Sequence, residues 1–347
     1  MRRGTPRSSA ALSGHRDPAG AARSAATPEP GGARVTQPGR SGPGESSRTV
    51  LVALATNLGV ALAKIVAAVF TGSVAMLAEA WHAVADTGNQ VLLLIAQRRS
   101  SRPRDDRHPF GYGREAYFWA LIASIGVFAA GAVFSLREGI AELLNPVGTS
   151  AFAVVYVVLA VSVVLDSVSL LRAVGQLRVE ALRFRRDFLD QVMLTSDPTV
   201  RAVFAEDAAA IAGDLIALAG VALHQITGSP APEALAAVLI GLLLIGVGVQ
   251  LARRNHDFLL GEQAAPGVKQ EVRAFLVAYP GVVSIGELLV TFVGPRRVWV
   301  LARLDIDDDL SGDQVEALVR GIEAGLESES DYVDRVDVVP IGSAPRP

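Results

Sequence analysis

Six apolar stretches, each longer than the ~20 residues needed to span a hydrocarbon core, constrain this chain more than any other feature. They run from about Thr49 to Phe70, Ser73 to Gln97, Ala116 to Leu136 (with an amphipathic extension to Leu144), Ala151 to Val174, Val200 to His224, and Pro232 to Ala252. Inside a bilayer each backbone amide must find its partner within the segment, so these stretches are expected as membrane-spanning helices. Pro-Val-Gly after Asn145 and Thr-Gly-Ser-Pro after Ile226 mark turns between neighbouring spans. With 50% hydrophobic residues and a mean hydropathy of +0.37, the chain is too apolar for an ordinary soluble protein.

The loops alternate in charge. Arg98, Arg99, Arg102, Arg104 and Arg107 follow the second span, and Arg172, Arg178, Arg183, Arg185 and Arg186 follow the fourth. Arg253 and Arg254 follow the sixth, whereas Arg137 stands alone near the opposite loops. The positive-inside rule therefore puts both termini in the cytoplasm, for an integral protein of the cell (inner) membrane. Residues 1–47 are rich in Arg, Gly, Pro, Ser and Ala and are expected to be a disordered tail, with no apolar core that would make a signal peptide. A net charge of −3 implies no nucleic-acid partner, and the absence of cysteine leaves His, carboxylates, amides and water as metal donors.

Polar residues inside the spans carry the chemistry. His82 and Asp86 stand four residues apart in the second span, which stacks them on one helix face. A charged Asp at the bilayer centre costs roughly 2.5–3.5 kcal/mol on the insertion scale, so a ligand, partner or water path must offset it. Imidazole with carboxylate begins a Zn-type site, although a polar pair that only ties helices together is the plainer alternative. Glu206, Asp207 and Asp214 place three carboxylates on the fifth span. Asp207 and Asp214 share a face but lie ~10 Å apart along the axis, too far to chelate one ion directly. If the second and fifth spans run antiparallel, Asp86 can pair with Glu206 and His82 with Asp214. Asp207 could instead pair with Lys64, Asn57 could offer an amide oxygen, Glu79 could line the exit, and Asp166 could bridge helices or touch the cation. His224 and His256 sit at span ends, where a solvated imidazole needs no function.

From about Gly261 the composition becomes that of a small α/β unit. Pro266 to Ala278 is expected as a helix, Val283 to Phe292 and Val298 to Ile306 as strands, and Asp334 to Val339 as a last strand. Ser311 caps an intervening helix to about Leu326, with Gln314 completing a capping box. An α-β-β-α-β order suits a ferredoxin-like fold. The domains are thus expected at 48–256 for the membrane part and 257–342 for the cytoplasmic part, with a frayed end at 343–347. The acidic group Asp305, Asp307, Asp308, Asp309 and Asp313 fits a solvated strand end.

Several motifs in order resemble the cation diffusion facilitator family. They are Ala53-Leu54-Ala55-Thr56-Asn57 with Lys64, Gly72-Ser73, Ala78-Glu79-Ala80 with His82-xxx-Asp86, His108 to Arg114, and Leu259-Leu260-Gly261. Glu206-Asp207 after Ser196-Asp197-Pro198, and Asp166 to Leu171, are most similar to a zinc-transporter branch with Glu-Asp in the fifth helix. The resemblance implies six transmembrane helices, a cytoplasmic ferredoxin-like domain, a homodimer, and export of a divalent metal in exchange for protons. It implies a metal site of His82, Asp86, Glu206 and Asp207 and no cofactor beyond the transported ion, while Asp214 and Asn57 are further candidates by their places on the helices. In the commoner branches a second fifth-helix ligand would fall at Ala210, so this chain departs from that pattern. A structural or receptor-like protein and an intramembrane metal hydrolase are the alternatives, but the hydrolase lacks a His-Glu-xx-His helix.

Overall fold

The computed structural model describes residues 43–146, 148–183, 187–330 and 332–342. The expected tail (up to residue 42), Arg185, Arg186 and the expected frayed end at 343–347 lie outside the described residues. Seven helices come first: α1 (Pro43–Thr71), α2 (Val74–Ser100), α3 (Glu115–Leu144), α4 (Phe152–Arg183), α5 (Phe188–Leu194), α6 (Pro198–Thr227) and α7 (Ala231–Leu260). Five of them, α1, α3, α4, α6 and α7, are long and apolar enough to cross a membrane. The second stretch is corrected in one respect. At 27 residues α2 has the length, but its buried face carries Glu79, His82, Asp86 and Asn89, which lower its hydropathy. Those groups are hidden because α2 packs among α3, α6 and α7.

Local chemistry sets the ends of the two helices that matter most for function. Gly72 at φ 70° turns the chain, and the Ser73 hydroxyl then accepts from the Met76 N–H to cap α2. The Asp197 carboxylate accepts from the N–H groups of Thr199 and Val200, and Pro198 opens α6. Gly228 at φ 68° closes α6 in the left-handed conformation. Helices α3 and α7 meet along a seam of small residues, as membrane helices do when close packing must hold them. A Cβ on Gly139 would come 2.8 Å from the Ala234 carbonyl, and one on Gly248 would come 2.9 Å from Phe128 Cβ. The outer face of α4 exposes Val154, Val157, Val161, Val164, Val168 and Leu171, an apolar stripe at helical spacing.

Beyond α7 come α8 (Pro266–Ala278), β1 (Val282–Gly294), β2 (Arg297–Ile306), α9 (Gly312–Glu329) and β3 (Val333–Ile341). This is the expected α-β-β-α-β order. The sheet order is β1-β2-β3, with β1 antiparallel to β2 and β2 parallel to β3. Its core joins Val272 and Leu276 of α8 and Ile322 and Leu326 of α9 to Val290, Val300 and Leu304 of the sheet. The Ser311 N–H donates to Gln314 Oε1 at 2.8 Å, as the capping box requires.

The α+β unit is docked rather than tethered. Phe258, near the end of α7, packs against Tyr117 of α3 and Phe292 of β1. Arg104 and Arg297 both pair with Asp334, and Phe110 packs on Trp299. The loop before α3 is shaped by Asp105, which accepts from the Tyr112 hydroxyl at 2.6 Å and the His108 N–H at 2.7 Å. The Tyr112 hydrogen bond is the main reason the exposed Asp105 carboxyl is held below its ordinary range.

Candidate metal site

Helical spacing delivers Glu79, His82, Asp86 and Asn89 to one buried face of α2. Facing them, α6 buries Glu206, Asp207, Gly213 and Asp214. Gly213 is required by the closeness of the helices, since a Cβ there would run into Glu79 Oε1 and come 3.2 Å from His82 Nδ1. A cavity of about 20 Å³ lies between α1, α2, α4 and α6, lined by Asn57, Val60, Lys64, Ala83, Asp86, Asp166, Glu206, Asp207 and Ala210. That is room for roughly one water molecule or one bare ion.

Four of the expected site residues, Asn57, Asp86, Glu206 and Asp207, therefore surround one space, joined by Asp166. His82 stands beside it, with Nε2 3.6 Å from Asp86 Oδ2. Among the described residues neither ring nitrogen of His82 has a hydrogen-bond partner, and the same is true of Asp86 Oδ1 and Asp207 Oδ2. Each such buried orphan costs about 1–3 kcal/mol, so the arrangement leaves donor capacity in want of a ligand. These N and O donors suit Zn, Mn, Fe or Co. Among the described residues no three His, Asp or Glu side chains gather tightly enough to hold a metal ion, so binding requires the groups to draw inward.

Several expectations are corrected by geometry. Asp214 does not pair with His82: its Oδ1 accepts from Lys64 Nζ at 2.6 Å. Lys64 donates also to Glu79 Oε2 at 2.8 Å, and so is not the partner of Asp207. Glu79 is completely buried. His224, expected in solvent, is buried with Nδ1 2.6 Å from Glu233 Oε1. Glu233 Oε2 accepts from the hydroxyls of Ser73 at 2.5 Å and Thr149 at 2.8 Å. The reason is that α6 and α7 form a tight hairpin, turning His224 and Glu233 toward each other beneath the start of α2. Asp307, Asp308, Asp309 and Asp313 are exposed, as a solvated strand end should be.

Sequence reasoning missed Asn89, whose amide donates to Glu206 Oε1. Its position three residues after Asp86, on the same face, was the available signal. Asp166 is held by the Ser162 hydroxyl at 3.1 Å.

Carboxylates and an imidazole thus lie buried between long helices, and an α+β unit follows α7. The chain belongs to the cation efflux, or cation diffusion facilitator, family: the profile of the cation efflux transmembrane domain matches residues 50–260. It is 34% identical over 266 residues to the proton-coupled zinc antiporter SLC30A9, mitochondrial, of Xenopus laevis, covering 77% of this chain and 47% of that protein. It is 30% identical over 265 residues to metal tolerance protein C4 of Arabidopsis thaliana, covering 76% and 58%. It is 26% identical over 282 residues to the cation-efflux pump FieF of Escherichia coli, covering 81% and 87%. The chain thus spans about half the length of the frog relative.

Proposed function

We propose that this protein exports a divalent metal, Zn²⁺, from the cytoplasm in exchange for protons, by alternating access through the cavity between α1, α2, α4 and α6. His82, Asp86, Glu206 and Asp207 are the proposed ligands, with Asn57 as an oxygen donor at the rim. Asp214 is left out because Lys64 already holds it. The observation that carries the proposal is the set of unpartnered His82, Asp86 and Asp207 atoms beside a cavity of ion size. The name of the Xenopus laevis relative, a proton-coupled zinc antiporter, supports zinc and the proton coupling.

The coupling follows from the donor chemistry. His82 binds metal only when neutral, and metal affinity therefore depends on proton occupancy. On the far side, release of the ion leaves carboxylates and imidazole in a low-dielectric interior, where taking up protons relieves the uncompensated charge. The protonated site returns, and loses its protons where the next ion binds. Both termini are proposed to lie in the cytoplasm, in the cell (inner) membrane, with two copies forming a homodimer.

Purified protein in proteoliposomes tests the assignment. Wild-type protein should carry Zn²⁺ across the bilayer, and His82→Ala and Asp86→Ala should each remove nearly all of that flux while still inserting. Wild-type flux in either variant would rule the site out.

A further inference from the structure

Lys64 is a buried ammonium in a membrane helix, and its position is not explained by the ligand set above. Its Nζ lies 2.8 Å from Glu79 Oε2 and 2.6 Å from Asp214 Oδ1, and the three side chains are 2%, 0% and 0% exposed. Each carboxylate gives Lys64 one oxygen. The other two, Glu79 Oε1 and Asp214 Oδ2, have no hydrogen-bond partner, and Glu79 Oε1 lies 3.6 Å from His82 Nδ1.

Glu79 and Asp214 supply carboxylate oxygens of the kind a divalent cation takes, here arranged around an ammonium. Along α2, Glu79 precedes Asp86 by seven residues, about 10 Å of helix rise, with His82 between them. The bundle therefore holds two places of cation-binding chemistry in succession. One is the cavity of Asp86, Glu206 and Asp207, and the other is filled by Lys64. Lys64 also lines that cavity.

We propose that Lys64 is a tethered cation occupying a second site formed by the carboxylates of Glu79 and Asp214, and that it restricts the bundle to one divalent ion at a time. This deepens the transport assignment and rests on it. A fixed positive charge repels a divalent ion from the second place, and it keeps two buried carboxylates compensated while the transported ion is absent.

Equilibrium dialysis with Zn²⁺ on the full chain in nanodiscs tests the idea by counting ions per chain. Lys64→Met and Lys64→Gln, two neutral variants of different hydrogen-bonding capacity, should each bind one more Zn²⁺ than wild type. Lys64→Arg, which keeps the charge, should bind the wild-type number. The double variant Lys64→Met with Asp214→Asn, which removes a carboxylate together with the ammonium, should return to that number. An unchanged or lower count in the neutral variants, or a gain in Lys64→Arg, would overturn the tethered-cation role. A wild-type chain that binds no Zn²⁺ would instead overturn the transport assignment beneath it.

Discussion

Glu206 and Asp214 are both buried carboxylates on α6, yet their partners assign them different work. Glu206 lines the cavity, with Asn89 donating to one of its oxygens, whereas Asp214 is the counter-ion of Lys64. Glu206→Gln removes a ligand charge at nearly constant size and should weaken Zn²⁺ binding at least tenfold, which titration calorimetry would read. Asp214→Asn should leave that affinity within a few-fold but lower stability by about 2 kcal/mol, the scale of a hydrogen bond to a charged group. The reverse ranking would place the metal at Asp214. Gly213 offers an independent test. Gly213→Ala pushes a methyl into Glu79 Oε1 and against His82 Nδ1, so Zn²⁺ affinity should fall about tenfold. Gly246→Ala, on α7 with nothing near the added carbon, should leave the affinity unchanged.

At the scale of elements, the far end of the bundle is tied by one carboxylate. Glu233 at the start of α7 accepts from Ser73 before α2 and Thr149 before α4, and pairs with His224 at the end of α6. Glu233→Ala strands these partners in a buried place and should destabilise the protein by about 2–5 kcal/mol, seen as an earlier thermal transition in detergent. Little change would mean that the helix ends are held elsewhere. This knot was hidden in the sequence, because His224 and Glu233 meet only through the turn at Gly228, and spacing alone makes His224 a span-end residue. The Lys64 pairing was hidden for a similar reason: it depends on the depth and rotation of three helices. By contrast, the polar face of α2 was legible, since a four-residue spacing within an apolar run leaves few alternatives. The order α8-β1-β2-α9-β3 was legible from turn and capping signals such as Ser311 with Gln314. Helix α5, only seven residues long, carried too little pattern to be seen.

One continuous helix, α7, links the membrane part to the α+β unit. Phe258 of α7 lies in the core of that unit, while the same helix packs against α2 and α6 within the membrane part. Movement of α7 is thereby shared by both parts. The proposed function is that metal crosses this bundle in exchange for protons. The most direct measurement is Zn²⁺ uptake into inside-out vesicles whose lumen is buffered at several pH values, with the outside fixed near neutrality and a pH dye inside. Luminal acid should speed reprotonation of His82 and the carboxylates after release, so uptake should rise as the luminal pH falls. The dye should report alkalinisation as metal enters, and both responses should vanish in Asp86→Ala. Uptake indifferent to luminal pH, with a silent dye, would contradict exchange and leave a path that passes metal alone.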